Sequence, residues 1–254
     1  MPRARIGPTE LHFQEEGNGP AVLCIPGALG TGASDFRTQV QTWSRHFKVI
    51  APDPRGYGRS RPPDRDFSID FYRQDALEMA QLMDELGHRT YSLAGFSDGA
   101  NVAVLLAARF PRRVSKLAIW GGNSFYTKTD LKALEKTRLI ATWPKQMRES
   151  LEKEYGASLQ AMWNAYCDSI RNRFEGNPDV CLGELCLVGC PTLILHGGRD
   201  PVVSPRHAQV FYDGIRNARI HIIPDGRHSI HKTHTDELNM LVAAFLRKGV
   251  DSAM

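Results

Sequence analysis

Three side chains that could together perform acyl transfer lie far apart along the chain: Ser97, Asp200 and His228. A serine hydroxyl is a weak nucleophile, so it needs an adjacent base, an acid that orients the base, and N–H donors for the oxyanion that forms. Histidine and aspartate commonly supply the base and the acid. The residue types therefore predict a serine nucleophile, Ser97, with Asp200 and His228 completing a catalytic triad.

The local pattern around the serine is Gly95-Phe96-Ser97-Asp98-Gly99. Gly-x-Ser-x-Gly is common by chance, but here it follows a predicted strand, 90–94, and precedes a helical pattern that begins near Asn101. A tight turn between strand and helix exposes the serine hydroxyl, and small flanking residues leave room for it. The alternative is a glycine-rich turn with a helix-capping serine. The strand and helix on either side favour the nucleophile.

The acid and the base each follow a predicted strand of their own. Asp200 lies in the loop after the apolar run 193–195, and His228 lies in the loop after the run 219–223. Taken singly, Asp200 could be a turn residue before Pro201, and His228 a solvated loop residue. The order serine, aspartate, histidine is that of α/β-hydrolases, and it favours the catalytic interpretation of both.

An oxyanion hole needs two backbone N–H groups close to the nucleophile. One is expected from Asp98, the residue after Ser97, and the other from the loop that follows the earlier strand 21–25. That loop reads Pro26-Gly27-Ala28-Leu29-Gly30, and Ala28 is the preferred donor with Leu29 second. The alternative is a plain turn whose glycines serve only its conformation.

The side chain of Asp98 carries information about the substrate. An aspartate in the first turn of a helix often does no more than stabilise the helix. A carboxylate one residue from the nucleophile, however, disfavours anionic substrates and favours a cationic group near the scissile bond. An α-ammonium group fits that requirement, so Asp98 is also a predicted substrate-binding residue.

Short apolar runs alternate with helical patterns, which indicates βαβ units. We therefore predict the α/β-hydrolase fold, with a mainly parallel central sheet flanked by helices. Residues 11–14 alternate like an antiparallel edge strand. Residues 123–187 contain helical patterns and no strand, which predicts an inserted helical cap between core segments 1–122 and 188–254. The aromatic residues of that insertion could line the pocket or form the cap's own core: Trp143, Trp163 and Tyr166.

Composition narrows the class of protein. The net charge of +4 comes from 32 basic and 28 acidic residues that are scattered along the 254-residue chain, which argues against nucleic acid as a partner. No apolar run reaches the length of a membrane span. We expect a soluble monomer that acts on a small-molecule ester without a cofactor. Five cysteines and no apolar signal region favour reduced thiols and an intracellular location, either cytoplasmic or mitochondrial.

Two groups of residues invite a metal interpretation. His231 and His234 follow His228 at three-residue spacings, and three cysteines lie close together at positions 181, 186 and 190. Neither group completes a common zinc-ligand spacing, and polar residues at a helix start explain the histidines equally well. We therefore expect no metal site.

Four segments carry a resemblance to a known family: Asp53–Phe67, the Ser97-Asp98 elbow, Ile119–Gly121 and His196–Pro201. The chain resembles, over nearly its whole length, the valacyclovir hydrolase or biphenyl hydrolase-like family of α/β-hydrolases. The resemblance implies hydrolysis of α-amino acid esters, including ester prodrugs and related activated esters or thiolactones. It also implies that Asp98 holds the free amino group of the substrate. The chain departs from that family at two positions of the elbow, Phe96 for tryptophan and Ala100 for glycine.

Two other functions use the same features. A carbon–carbon bond hydrolase of the biphenyl-degradation type has the same triad, but its substrate is anionic, which Asp98 disfavours. A ligand-binding protein can also retain a hydrolase fold with an intact triad. Haloalkane dehalogenases need an aspartate nucleophile, which Ser97 excludes.

Overall fold

One eight-stranded sheet runs through the computed structural model, which describes residues 2–248. Its strands are β1 (Arg3–Ile6), β2 (Thr9–Glu16), β3 (Ala21–Ile25), β4 (Lys48–Pro52), β5 (Tyr91–Phe96), β6 (Val114–Trp120), β7 (Thr192–Gly197) and β8 (Ala218–Ile223). They lie in the order β1-β2-β4-β3-β5-β6-β7-β8. Strand β2 pairs antiparallel with both β1 and β4, and the remaining pairs are parallel.

Helices connect the parallel strands. They are α1 (Gly32–Trp43), α2 (Phe71–Glu85), α3 (Asp98–Arg109), α4 (Lys128–Lys136), α5 (Lys145–Tyr155), α6 (Leu159–Gly176), α7 (Arg206–Gly214), α8 (Ile230–Thr233) and α9 (Thr235–Arg247), with 3-10 turns at Ile140–Thr142, Gly156–Ser158 and Leu185–Leu187. Among the described residues, no helix is both long enough and apolar enough to cross a membrane.

The central strands are mostly apolar because helices cover both faces of the sheet. All five residues of β3 are buried, and alternate side chains point to opposite faces. Leu23 and Ile25 belong to the cluster that contains the apolar faces of α2 and α3. Val22 and Cys24 belong to the second cluster, with α1 and α9. This two-sided core confirms the predicted mainly parallel sheet flanked by helices.

The prediction that residues 11–14 form an edge strand is wrong. They lie in β2, which is paired on both sides, and the edge of the sheet is β1. Strand β1 has four residues and alternates exposed arginines, Arg3 and Arg5, with buried Ala4 and Ile6. So short and basic a segment gives little strand signal, although charged residues are typical of an edge.

Residues 123–187 lie between β6 and β7, all of them are described, and none belongs to a named strand. Extended pairing within this helical segment is confined to one isolated bridge, Phe125 to Asp179. A small apolar cluster joins the segment to the core through Tyr155 and Leu159, which pack with Leu29. Its division from the core as a separate cap domain stays a prediction.

Candidate active site

The serine lies at the junction of β5 and α3. Ser97 has φ of 53° and ψ of −121°, a conformation that residues other than glycine seldom adopt. Holding a non-glycine residue there costs on the order of 1–3 kcal/mol. The glycines on either side make the turn feasible, because a Cβ at Gly99 would collide with the carbonyl oxygen of Ile25 and one at Gly95 with the backbone of Gly99.

The structure brings the three predicted catalytic side chains together. The Nε2 atom of His228 lies 3.1 Å from Ser97 Oγ, and its Nδ1 atom lies 2.8 Å from Asp200 Oδ2. Each residue follows the carboxyl end of its own parallel strand, β5 for the serine, β7 for the aspartate and β8 for the histidine. With the Nδ1 proton donated to Asp200, the unprotonated Nε2 can accept the serine proton.

Asp200 is held as a charged carboxylate. Its Oδ1 atom accepts hydrogen bonds from the backbone N–H groups of Val202, at 2.8 Å, and Val203, at 3.0 Å. Burial by itself raises the pKa of Asp200, but the hydrogen bonds from His228 and the two N–H groups outweigh it and lower the pKa. Buried His196 lies behind it, with Nε2 2.9 Å from the Val203 carbonyl oxygen.

Asp98 is buried beside the nucleophile and is surrounded by phenols. Its Oδ1 atom accepts hydrogen bonds from Tyr72 Oη, at 2.8 Å, and Tyr166 Oη, at 3.1 Å. Tyr72 Oη also lies 2.7 Å from Tyr126 Oη. Burial raises the pKa of Asp98 to about 6, although the two phenol hydrogen bonds act to lower it.

The sequence did not identify Tyr72 or Tyr126 as site residues. Tyr72 lies on α2, where an aromatic residue at helical spacing is indistinguishable from a core residue, and Tyr126 precedes α4. Of the three aromatic residues proposed as pocket walls, Tyr166 reaches Asp98. Trp143 and Trp163 both donate to the Thr137 carbonyl oxygen, and the ring centre of Trp163 lies 5.0 Å from that of Tyr166; their role as pocket walls stays a prediction.

The predicted oxyanion loop, residues 26–30, passes close to the nucleophile. A Cβ built on Gly27 would lie 3.1 Å from Ser97 Cβ. The loop is a tight turn in which the N–H of Gly30 donates to the carbonyl oxygen of Gly27 at 2.9 Å. Leu29 has φ of 59°, in the left-handed region. The roles of the Ala28, Leu29 and Asp98 N–H groups as oxyanion donors stay predictions.

The two histidines after His228 have separate surroundings. His231 is buried, and its Nδ1 accepts a hydrogen bond from Trp120 Nε1 at 3.1 Å. Its ring centre lies 4.2 Å from that of Phe96, whose own ring lies 5.1 Å from His228. His231 therefore forms part of the apolar support behind the elbow. His234 instead faces Asp225, with Nε2 3.3 Å from Oδ1.

Burial lowers the pKa of His231 to about 3, so its imidazole stays neutral in the folded state at pH values where the unfolded chain is protonated. The unfolded state binds the extra proton below pH ~6.5, so stability is lost as the pH falls from there toward 3. We expect the melting temperature of His231→Gln to fall less steeply than that of wild type between pH 6.5 and 4, as measured by circular dichroism. His46→Gln, a change at an exposed histidine, is the control. Equal slopes in the His231 variant and wild type would contradict the assignment.

Two sequence profiles of known families match this chain. The sequence profile described as "alpha/beta hydrolase fold" matches residues 20–148, and one described as "Serine aminopeptidase, S33" matches residues 178–235. The mouse protein named Serine hydrolase BPHL is 39% identical over 251 residues, which cover 96% of this chain and 86% of that protein.

Two further similarities concern hydrolases of other names. A 2-hydroxymuconate semialdehyde hydrolase of Pseudomonas putida is 29% identical, over 94% of this chain and 90% of its own length. The solved structure of 2-hydroxy-6-oxo-6-phenylhexa-2,4-dienoate hydrolase from Rhodococcus sp. strain RHA1 superposes with a TM-score of 0.83 at 19% identity. The superposition covers 96% of this chain and 97% of that one, and at this identity the likeness concerns the fold.

Proposed function

The chain is a serine hydrolase that belongs to the α/β-hydrolase fold family, and on that premise we propose that it cleaves esters of α-amino acids through an acyl-enzyme on Ser97. The candidate substrates are amino acid ester prodrugs and related activated esters or thiolactones. One observation carries the proposal: a buried carboxylate, Asp98, is the residue directly after the nucleophile.

The triad geometry supports the chemical steps. Ser97 Oγ passes its proton to Nε2 of His228 as it attacks the ester carbonyl carbon, and the charge of Asp200 stabilises the imidazolium that results. His228 then protonates the departing alcohol, which leaves the acyl group on the serine. A water molecule, activated by the same histidine, attacks the acyl-enzyme and releases the acid.

Asp98 supports the choice of substrate. Both phenol hydrogen bonds converge on its Oδ1 atom, and none of residues 2–248 donates to Oδ2, which leaves that oxygen for a donor supplied by the substrate. The positive charge of Arg65 acts on Asp98, but its guanidinium is ion-paired with Asp75 at 2.6 Å. An α-ammonium at Oδ2 would place a positive charge against a buried negative one, with its α-carbon next to the scissile carbonyl.

The alternative of a carbon–carbon bond hydrolase has a relative in its favour, the Pseudomonas putida protein at 29% identity. An anionic ring-cleavage product would bring its carboxylate toward Asp98, and like charges in a buried site repel strongly. A non-catalytic ligand-binding protein can retain the same hydrogen bonds at both nitrogens of His228, so turnover of an ester is the observation that separates it from an enzyme. We therefore favour the amino acid ester hydrolase.

The test compares L-valine benzyl ester with its N-acetyl counterpart. We expect kcat/KM to be about 100-fold higher for the free amine, since leaving a buried charge without its partner costs about 2–5 kcal/mol. Release of benzyl alcohol, followed by chromatography, is the measurement. Equal turnover of the two esters would refute recognition of the amino group. Turnover of neither would refute this substrate class, and faster turnover of an anionic dienoate would favour carbon–carbon cleavage.

A further inference from the structure

The oxyanion loop is held at two of its five residues by side chains from other parts of the fold. At one end, the N–H of Gly27 donates to Asp35 Oδ2 at 3.1 Å. Toward the other end, the hydroxyl of Tyr155 donates to the carbonyl oxygen of Leu29 at 2.8 Å. The catalytic steps described above use neither Asp35 nor Tyr155.

Asp35 provides the contact from the core. It lies in the first turn of α1, is buried, and its Oδ1 atom pairs with Lys232 Nζ at 2.8 Å. Burial raises the pKa of Asp35, but the charge of Lys232 and the Gly27 hydrogen bond outweigh it and lower the pKa. A Cβ on Gly30 would collide with Asp35 Oδ2, so the glycine leaves space for this carboxylate.

Tyr155 provides the contact from the helical segment. It is the last residue of α5 and is buried, and its hydroxyl also accepts a hydrogen bond from the N–H of Gly58 at 3.3 Å. The ring is fixed independently of the hydroxyl. Its centre lies 6.4 Å from that of Tyr57 in a perpendicular arrangement, and the Arg61 guanidinium carbon lies 4.7 Å from it.

The two contacts flank the peptide units that matter for catalysis. The Gly27 N–H belongs to the peptide before the Ala28 N–H, and the Leu29 carbonyl belongs to the peptide after the Leu29 N–H. The two candidate donors within the loop, the N–H groups of Ala28 and Leu29, therefore lie between two anchored peptides. Leu29 must also hold φ of 59°, which costs a residue with a Cβ about 1–2 kcal/mol. A hydrogen bond to its carbonyl oxygen opposes relaxation of that conformation.

From this arrangement we propose that Asp35 and Tyr155 are positioning residues that fix the oxyanion loop, so that packing of the helical segment against the core determines how well the oxyanion is stabilised. The proposal rests on the Ser97 chemistry of the proposed function and is independent of amino group recognition by Asp98. Removing an oxyanion donor outright costs about 10²–10³ in kcat. Loosening the loop leaves both donors in place, so we expect a smaller loss, about 10-fold to 100-fold.

The test uses Tyr155→Phe, which keeps the ring contacts and removes the hydroxyl, and Asp35→Ala. The matched controls are Tyr91→Phe, which removes a buried hydroxyl without a partner among the described residues, and Asp130→Ala, which removes a capping aspartate from the first turn of α4. Two assays are run on each variant, and together they give kcat, KM and the affinity for an inhibitor. One is the turnover of p-nitrophenyl acetate, and the other is inhibition by a phenylboronic acid, which forms a tetrahedral adduct on a nucleophilic serine.

We expect both test variants to lose kcat with KM within about twofold of wild type, and to bind the boronic acid more weakly by the same factor. The controls should stay within about twofold in all three quantities. Unchanged kcat and boronic acid affinity would overturn the proposal, and so would a rise in KM alone, which indicates a role in substrate binding. Should one variant fail to fold, the other carries the same prediction for the same loop.

The outcomes separate this proposal from the proposed function. If the wild type hydrolyses p-nitrophenyl acetate but shows no preference for free amines, only the amino acid ester proposal fails. If the wild type neither turns over this ester nor binds the boronic acid, Ser97 is not the nucleophile and both proposals fail.

Discussion

Replacing Ser97 by alanine is expected to reduce ester turnover by roughly 10⁴–10⁶-fold, because the acyl-enzyme then has no nucleophile to form on. The fold should persist, since Ser97 Oγ makes its side-chain hydrogen bond to His228 at the surface of the site. Active-site titration with p-nitrophenyl acetate, which records the burst of p-nitrophenol, is the measurement. A variant that retains more than about one per cent of wild-type turnover would contradict the assignment.

The backbone of Ser97 adds a second outcome to that experiment. Alanine at φ of 53° stays as strained as serine, whereas glycine adopts the conformation freely. Ser97→Gly should therefore be as inactive as Ser97→Ala, yet more stable by about 1 kcal/mol or more. Ser92→Ala is the matched control, because it removes a hydroxyl from β5 that bonds Ser115 and should leave turnover unchanged. A glycine variant less stable than the alanine variant would refute the strain.

Replacing Asp98 by asparagine is expected to lower kcat/KM for free-amino esters by about 10²–10³, mainly through KM, and to leave N-acetyl esters nearly unchanged. Asparagine keeps an oxygen for the phenol hydrogen bonds and removes the charge. Steady-state kinetics on the matched pair of valine esters measures the difference. Asp64→Asn, a change of the same charge at an exposed position, controls for net charge. An equal loss on both esters would show that Asp98 acts on the nucleophile, not on the amino group.

The pH dependence of kcat/KM should report the ionisation of Asp98. With a pKa of about 6, Asp98 is protonated on acidification, so wild-type kcat/KM for free-amino esters should fall below pH 6 beyond the loss seen with N-acetyl esters. The free energy of unfolding changes with pH in the opposite direction, because ionisation of the buried Asp98 destabilises the folded state. Because the folded state holds this proton more tightly than the unfolded state, the stabilising contribution is present below pH ~4 and is lost as the pH rises through 6. The ionised residue then costs on the order of 3 kcal/mol.

Asp98→Asn should consequently melt at a higher temperature than wild type at pH 7.5, and the difference should shrink toward pH 4. A lower melting temperature at pH 7.5 would show that the carboxylate stabilises the fold. Wild type is then less stable than the variant because it keeps a buried charge that a cationic substrate can bind.

The sequence was sufficient for those parts of the site that depend on local chemistry. The elbow around Ser97 is a short strand-to-helix turn, and Asp200 and His228 follow strands of their own, so spacing and chain order predict all three. Asp98 was identified for the same reason, since it adjoins the nucleophile. Parallel strands place these residues at one edge of the sheet without further information.

Contacts that depend on packing between distant elements escaped prediction. Tyr72 and Tyr126 meet only because α2 and the start of the helical segment close over α3, and Tyr155 is separated from Leu29 by 126 positions. A buried tyrosine looks alike in sequence whether its hydroxyl bonds a catalytic loop or has no partner. Strand β1 was missed for a different reason, because four residues with two arginines carry too little periodicity.

The position of Asp98 also bears on how a catalytic cycle ends. An amino acid ester has a neutral carbonyl group beside this carboxylate, whereas the acid released by hydrolysis has a carboxylate of its own. In a buried site that already contains Asp98 and Asp200, a third negative charge is repelled strongly. Under the proposed function, the amino group that binds the ester therefore holds the acid less tightly. We accordingly expect weak product inhibition by the free amino acid.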